Sequence, residues 1–226
     1  MRIHFLMEEI FHLLKLIDVF DKLYRHFGEQ FWWPASSPFE VIVGAVLTQN
    51  TAWTNVEKAI TNLKRRDLLH PEKISRLPLK ELEKLVHSSG FYRQKAKRLK
   101  SVSQYLEKSC RGDWDRFFSF PSSHLRPELL EINGLGPETV DSILLYAGRK
   151  PVFVIDAYTK RLSERLGISQ ESDYEALRSF FENNLPRDER LFNEFHALIV
   201  ALAKNYCRTK PACRGCPLKK NCRFAP

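Results

Sequence analysis

The 226-residue chain carries 36 Lys and Arg against 27 Asp and Glu, a formal charge of +9, and its pI is near 9.4. With 43% hydrophobic residues it can bury the core of one large or two small domains. No stretch is apolar and uncharged enough to span a membrane, and no repeat or low-complexity tract is present. The basic surplus favours a polyanionic partner and salt-dependent binding.

Residues 1–28 predict one or two amphipathic helices, with Phe5, Ile10, Leu13, Leu14, Ile17, Phe20 and Leu23 as the buried set. Glu8, Glu9 and Lys15 interrupt this stretch, so it does not read as a signal peptide, and a cytoplasmic protein is expected. Trp32 and Trp33 precede Pro34 in a segment too rich in Pro and Ser to continue a helix. Paired tryptophans there either seal a core or form a wall on which a flat ring stacks. A strongly apolar helix follows from about Pro38 through VIVGAVLTQN. Thr51 is a candidate cap for the next helix, and Trp53 stands on its first turn. Residues 71–86 predict a helical pair. The next helix carries the charge run Arg93, Lys95, Lys97, Arg98 and Lys100, by default a solvated face, with contact by some of them to phosphates as the alternative. Residues 111–126 predict a connecting loop with a short helix.

The stretch from Leu129 to Asp156 organises the rest. An apolar helix end leads into a tight turn at Gly134 and Gly136, then a helix with Pro137 in its first turn. Thr139, Val140, Ile143, Leu144 and Ala147 give that helix an apolar face. Backbone N–H groups exposed at such a turn suit an anion, DNA phosphate among them; an ordinary helix–turn–helix corner is the alternative. A Gly-Arg-Lys-Pro link and a Val-Phe-Val-Ile run then reach Asp156, well placed to cap the helix it opens. Helices continue to Cys207. Cys207, Cys213, Cys216 and Cys222 fall within sixteen residues, which argues for metal ligation over disulfides. By spacing alone zinc and an iron–sulfur cluster both remain open. Cys110 stands apart and reads as a buried or incidental thiol.

The helix-hairpin-helix, the Gly/Pro-rich loop and Asp156 together resemble the signature of the endonuclease III superfamily of DNA glycosylases. The resemblance implies an all-α, two-lobed fold, with residues 30–148 as a helical barrel bearing the hairpin. Residues 1–29 with 149–226 would form the second lobe, carrying the cysteine loop at 207–222. It implies that the hairpin grips the phosphate backbone, with Gly134, Gly136 and Thr139 on the DNA-contacting side. Gln49 would wedge into the duplex, and Asp156 would stand at the scissile N-glycosidic bond. The implied partner is duplex DNA containing a damaged base, met by a monomer with no membrane association and located with the nucleoid. The cysteine set matches the family's [4Fe–4S] loop, except that the first gap here is five residues where the family has six. Bifunctional members carry a nucleophilic Lys two residues after the second glycine of the hairpin; here that position is Glu138, and a carboxylate forms no Schiff base.

WWP, LTQNT followed by an aromatic, Glu138 and VIDAYTKRL resemble more narrowly the 3-methyladenine DNA glycosylase III type. That likeness, from about residue 30 onward, implies a base pocket of Trp32, Trp33, Pro34, Trp53, Glu138 and Lys204. The subtype lacks the cysteine cluster that this chain keeps. The expected activity is hydrolytic release of alkylated purines by Asp156, leaving the strand intact. The rivals are a bifunctional glycosylase/lyase acting on oxidised pyrimidines and a non-catalytic module that only binds damaged DNA.

Overall fold

Apolar residues at helical spacing become helices throughout: among the described residues the regular structure is entirely α, 3-10 and π helix. The computed structural model describes residues 2–226, with side chains for residue 13 and residues 15–226. The chain forms two compact units, one of Met1–Trp32 with Pro151–Pro226 and one of Trp33–Lys150. No helix among the described residues is long and apolar enough to cross a membrane.

In the discontinuous unit, α1 (Arg2–Phe27), α10 (Ala157–Leu166), α11 (Tyr174–Asn183) and α12 (Glu189–Asn205) surround an aromatic core. The first helix is one uninterrupted element that packs on α12, and its Leu16, Val19 and Leu23 are all at most 2% exposed. Leu13, Ile17 and Phe20, expected in the buried set, are only partly covered; the side chains of Phe5, Ile10 and Leu14 lie outside the described residues. Phe153 stacks on Phe181 at 4.4 Å and meets Phe192 and Phe195 edge-on. Each such ring contributes roughly 1.5–3 kcal/mol by leaving water. Val152, Phe153, Val154 and Ile155 are all buried, yet the run joins no sheet. Side chains take over the hydrogen bonding a ladder would supply: Glu182, gripped by both oxygens on Arg178, accepts from the Phe153 N–H at 3.0 Å. This pinned run delivers Asp156 to the start of α10.

The continuous unit holds α2 (Pro38–Thr48), α3 (Trp53–Arg65), α4 (Pro71–Arg76), α5 (Leu79–Leu85), α6 (Tyr92–Ser109), α7 (Trp114–Ser119), α8 (Ser122–Leu130) and α9 (Pro137–Ser142), the last continuing as a π turn through Ile143–Ala147. Every residue from Phe39 to Leu47 is buried, so α2 is the unit's central helix. Ser37 caps it and Pro38 opens it. Glu40 reaches back from its first turn to the N–H and hydroxyl of Ser36 while pairing with Lys64 at 2.6 Å. The cap expected of Thr51 on α3 is not made. Ala52 holds that position without a side-chain bond, and the Thr51 hydroxyl instead accepts from the Asn55 amide at 3.3 Å.

The charge run on α6 is not one solvated face. Arg93 and Lys97 are exposed, but Lys95 is 1% exposed and its Nζ donates to the carbonyls of Leu47 at 2.9 Å and Ser89 at 2.6 Å. Burial lowers its pKa to about 8, with the Arg98 charge adding to the effect. The ammonium thereby satisfies a carbonyl in the last turn of α2, where cations are favoured.

Candidate active site

In the continuous unit the hairpin is braced from both sides. A bidentate pair between Arg126 of α8 and the fully buried Asp141 of α9, at 2.7 and 3.1 Å, ties its two helices together. Of the two turn glycines, only Gly134 needs its freedom, with φ at +90°. The Arg98 side chain lies so close over it that a Cβ there would overlap. Gly136 is extended and caps α9, and nothing lies within 4 Å of where its Cβ would be. Thr139 is buried, so its hydroxyl is a support and not a surface group. It accepts from the Gln49 amide at 2.8 Å, which also donates to the Gly134 carbonyl at 3.3 Å. Arg98 in turn donates to the Gln49 side-chain oxygen. Gln49, at the C-terminal end of α2, is thus clasped by the hairpin. Glu138 is exposed on the first turn of α9, where the helix dipole favours a carboxylate.

The same unit assembles an aromatic cluster. Trp33 meets Trp53 edge-on at 5.1 Å and leans on Tyr146 at 5.3 Å. Gly44 of α2 leaves room for the Trp33 ring; a Cβ there would be 2.8 Å from Cζ2. Trp53 donates its indole N–H to Glu57 at 2.8 Å. Pro34 follows, exposed. Tyr146 is absent from the sequence-based set because its direction depends on the π turn, which rotates the residues after Ser142 relative to an ideal helix.

In the discontinuous unit Asp156 does what its position predicts and more. Its Oδ1 accepts from the N–H groups of Tyr158 at 2.9 Å and Thr159 at 2.7 Å, and from the Thr159 hydroxyl at 3.0 Å. Oδ2 faces His196 Nε2 at 3.5 Å. Burial pushes the carboxyl upward, but the His196 contact and the Thr159 bonds outweigh it, so the group sits below the ordinary carboxylate range. It is an ionised carboxylate in a largely enclosed place. His196 comes from α12, as do two supports for the segment ending at Trp32. Glu194 accepts from the Gln30 N–H at 2.9 Å, and Lys204 Nζ stands 5.8 Å from the Trp32 ring centroid, within cation–π range. A lone histidine inside the apolar run Phe195–Ile199 was the available sign of His196.

The four cysteines of the C-terminal loop all line one cavity, with Arg165, Tyr206 and Phe224. All four are free of disulfides. The buried Arg165 guanidinium donates to Cys207 Sγ at 3.2 Å and to the carbonyls of Arg208 and Thr209, while stacking on Phe224 at 4.3 Å. Arg161 donates to the Cys207 carbonyl at 2.8 Å. Among the described residues no three His, Cys, Asp or Glu side chains converge as a single-ion site requires.

An ionised, anchored carboxylate can stabilise a developing cation or take a proton from water. An electron-rich aromatic cluster can hold a flat heterocycle, and a braced Gly-turn hairpin can approach a phosphate backbone. The chain is 46% identical over 215 residues to a provisionally named DNA repair glycosylase of Methanocaldococcus jannaschii, covering 92% of this chain and 95% of that one. It is 30% identical over 190 residues to endonuclease III of Thermotoga maritima, covering 84% of each. Its structure is similar to that of the 3-methyladenine DNA glycosylase of H. pylori bound to 1,N6-ethenoadenine, with a TM-score of 0.70 and 33% identity, across 87% of this chain and 97% of that one. Residues 43–187 match the model of the HhH-GPD superfamily base excision DNA repair proteins. The chain therefore belongs to the HhH-GPD superfamily of base excision DNA repair proteins.

Proposed function

We propose that this protein is a monofunctional DNA glycosylase that flips alkylated purines of the 3-methyladenine type out of duplex DNA and hydrolyses their glycosidic bonds. The observation that carries the reading is the ionised, helix-anchored Asp156, taken with the presence in the sequence of a carboxylate, Glu138, at the hairpin position where lyase chemistry needs an amine. An N-alkylated purine is cationic, so the C1′–N bond breaks with its electron pair leaving on the base, which departs neutral. The Asp156 carboxylate stabilises the positive sugar; the water oxygen bonds C1′, and its proton passes to Asp156 and then to solvent.

Trp33, Trp53 and Tyr146 supply electron-rich faces suited to such a base, and Trp32 with Lys204 a second aromatic element. The H. pylori relative's name supports the alkylpurine class. Gln49, Gly134 and Gly136 serve DNA engagement, with Thr139 and Arg98 behind them. Cys207, Cys213, Cys216 and Cys222 hold a [4Fe–4S] cluster. The four thiols line one cavity without three of them converging on a single point among the described residues, whereas zinc would draw four sulfurs to within about 2.3 Å of one point. The cluster would act as a structural cross-link of the loop, with Arg165 and Arg161 holding the loop around it.

The test is chromatography of bases released from methylated duplex DNA, with strand integrity followed in the same reaction. Release of 3-methyladenine with intact strands supports the reading. No methylated purine, together with nicking of oxidised DNA, would replace it with the endonuclease III activity named for the T. maritima relative. Iron and acid-labile sulfide analysis of purified protein distinguishes the cluster from zinc.

A further inference from the structure

His196 is a polar side chain in the apolar run Phe195–Ile199 of α12, and it is 6% exposed. An imidazole in such a place is costly to desolvate unless a polar group meets it, and a leucine would fill the volume without that cost. The group that meets it is Asp156. Oδ1 of that carboxylate is fully engaged in capping α10, with three donors from Tyr158 and Thr159. Oδ2 points the other way, and His196 Nε2 is 3.5 Å from it. The cap fixes one oxygen but leaves the carboxylate plane free to swing about it; a donor on the second oxygen removes that freedom.

We propose that His196 is the positioning residue of Asp156, its Nε2–H fixing Oδ2 so that the carboxylate is presented to the sugar in a single orientation. The inference rests on the reading of Asp156 as the catalytic carboxylate. His196 touches no reacting atom; it acts through Asp156. The same contact opposes the effect of burial on the carboxyl and so helps keep it charged.

The test compares full-length His196→Leu, His196→Gln and Asp156→Asn in single-turnover release of 3-methyladenine, with DNA affinity and thermal stability measured alongside. His196→Leu is expected to slow release about 10- to 100-fold, the range for losing one hydrogen bond to a charged group. DNA affinity should stay within about twofold of the parent, and His196→Gln, which restores an N–H, should recover most of the rate. A purely space-filling role predicts the reverse ranking, with leucine as active as the parent, and that result overturns the inference. Should His196→Leu fold poorly, His196→Met carries the same comparison. Full activity in Asp156→Asn would overturn the reading of Asp156 itself. An inactive Asp156→Asn beside a fully active His196→Leu would overturn the role of His196 alone.

Discussion

The indole of Trp33 rests on Gly44: a Cβ at residue 44 would lie 2.8 Å from Cζ2 and 3.1 Å from Nε1. The smallest side chain in α2 therefore sets the depth at which an aromatic wall sits. Gly44→Ala should push the ring outward and cut base release about tenfold or more. Stability should fall by no more than about 2 kcal/mol, because the roughly 1 kcal/mol gained in helix propensity offsets part of a repacking cost of about 1–3 kcal/mol. Release kinetics and tryptophan fluorescence, measured on the same variant, check both halves.

Asp156 is held below the ordinary carboxylate range, so base release should persist as pH falls through about 4 and fail only below it. Its contribution to stability is present above the unfolded-state value and is lost as pH falls through the lower folded value. Asp156→Asn separates chemistry from capping. Asparagine caps a helix as well as aspartate does but gives up the charged contact with His196, so the melting temperature should fall only slightly while release drops by about 10²–10⁴-fold.

Lys95 gives the same sign of pH dependence as Asp156, but in an alkaline window. Its folded value of about 8 lies below that of an exposed lysine, so between about 8 and about 10.4 the unfolded chain holds the extra proton. Stability should therefore rise with pH across that window, and Lys95→Met should abolish the rise. Denaturant titrations at a series of pH values test this directly.

Glu138 stands on the exposed first turn of α9 and, on the proposed reading, at the position of the family's Schiff-base lysine. The parent protein should give no covalent adduct with borohydride and abasic DNA. Glu138→Lys should give one, visible as a shifted band on a denaturing gel, if the turn presents residue 138 to the sugar.

Arg126→Met withdraws the bidentate partner of a fully buried carboxylate. Destabilisation of about 3–5 kcal/mol is expected, read from chemical unfolding, with DNA affinity falling in step as the hairpin loosens.

Much of this was legible in the sequence because the signals are local. Helical periodicity marked α2 and α12, Pro137 and Gly134 marked the hairpin, and Asp156 announced itself as a cap. What escaped depends on partners distant in the chain. Lys95 looks solvated until the carbonyl of Leu47, 48 positions away, is placed beside it. Gln49 looks free until Thr139, 90 positions on, accepts its amide. Tyr146 needed the π turn, and His196 needed Asp156 at its ring nitrogen. Thr51 shows the reverse failure, a good local cap passed over because the chain starts α3 two residues later.

On the proposed reading one side chain both caps α10 and acts in the chemistry, and this has a genetic consequence. A single nucleotide change converts an aspartate codon to asparagine, which closes the cap equally well. Such an allele would yield a protein that folds, accumulates and still settles on lesions without clearing them. Abundance screens would pass it as normal. In a cell that also makes the working form, it would shield damage from repair, a dominant defect from a substitution that leaves the architecture untouched.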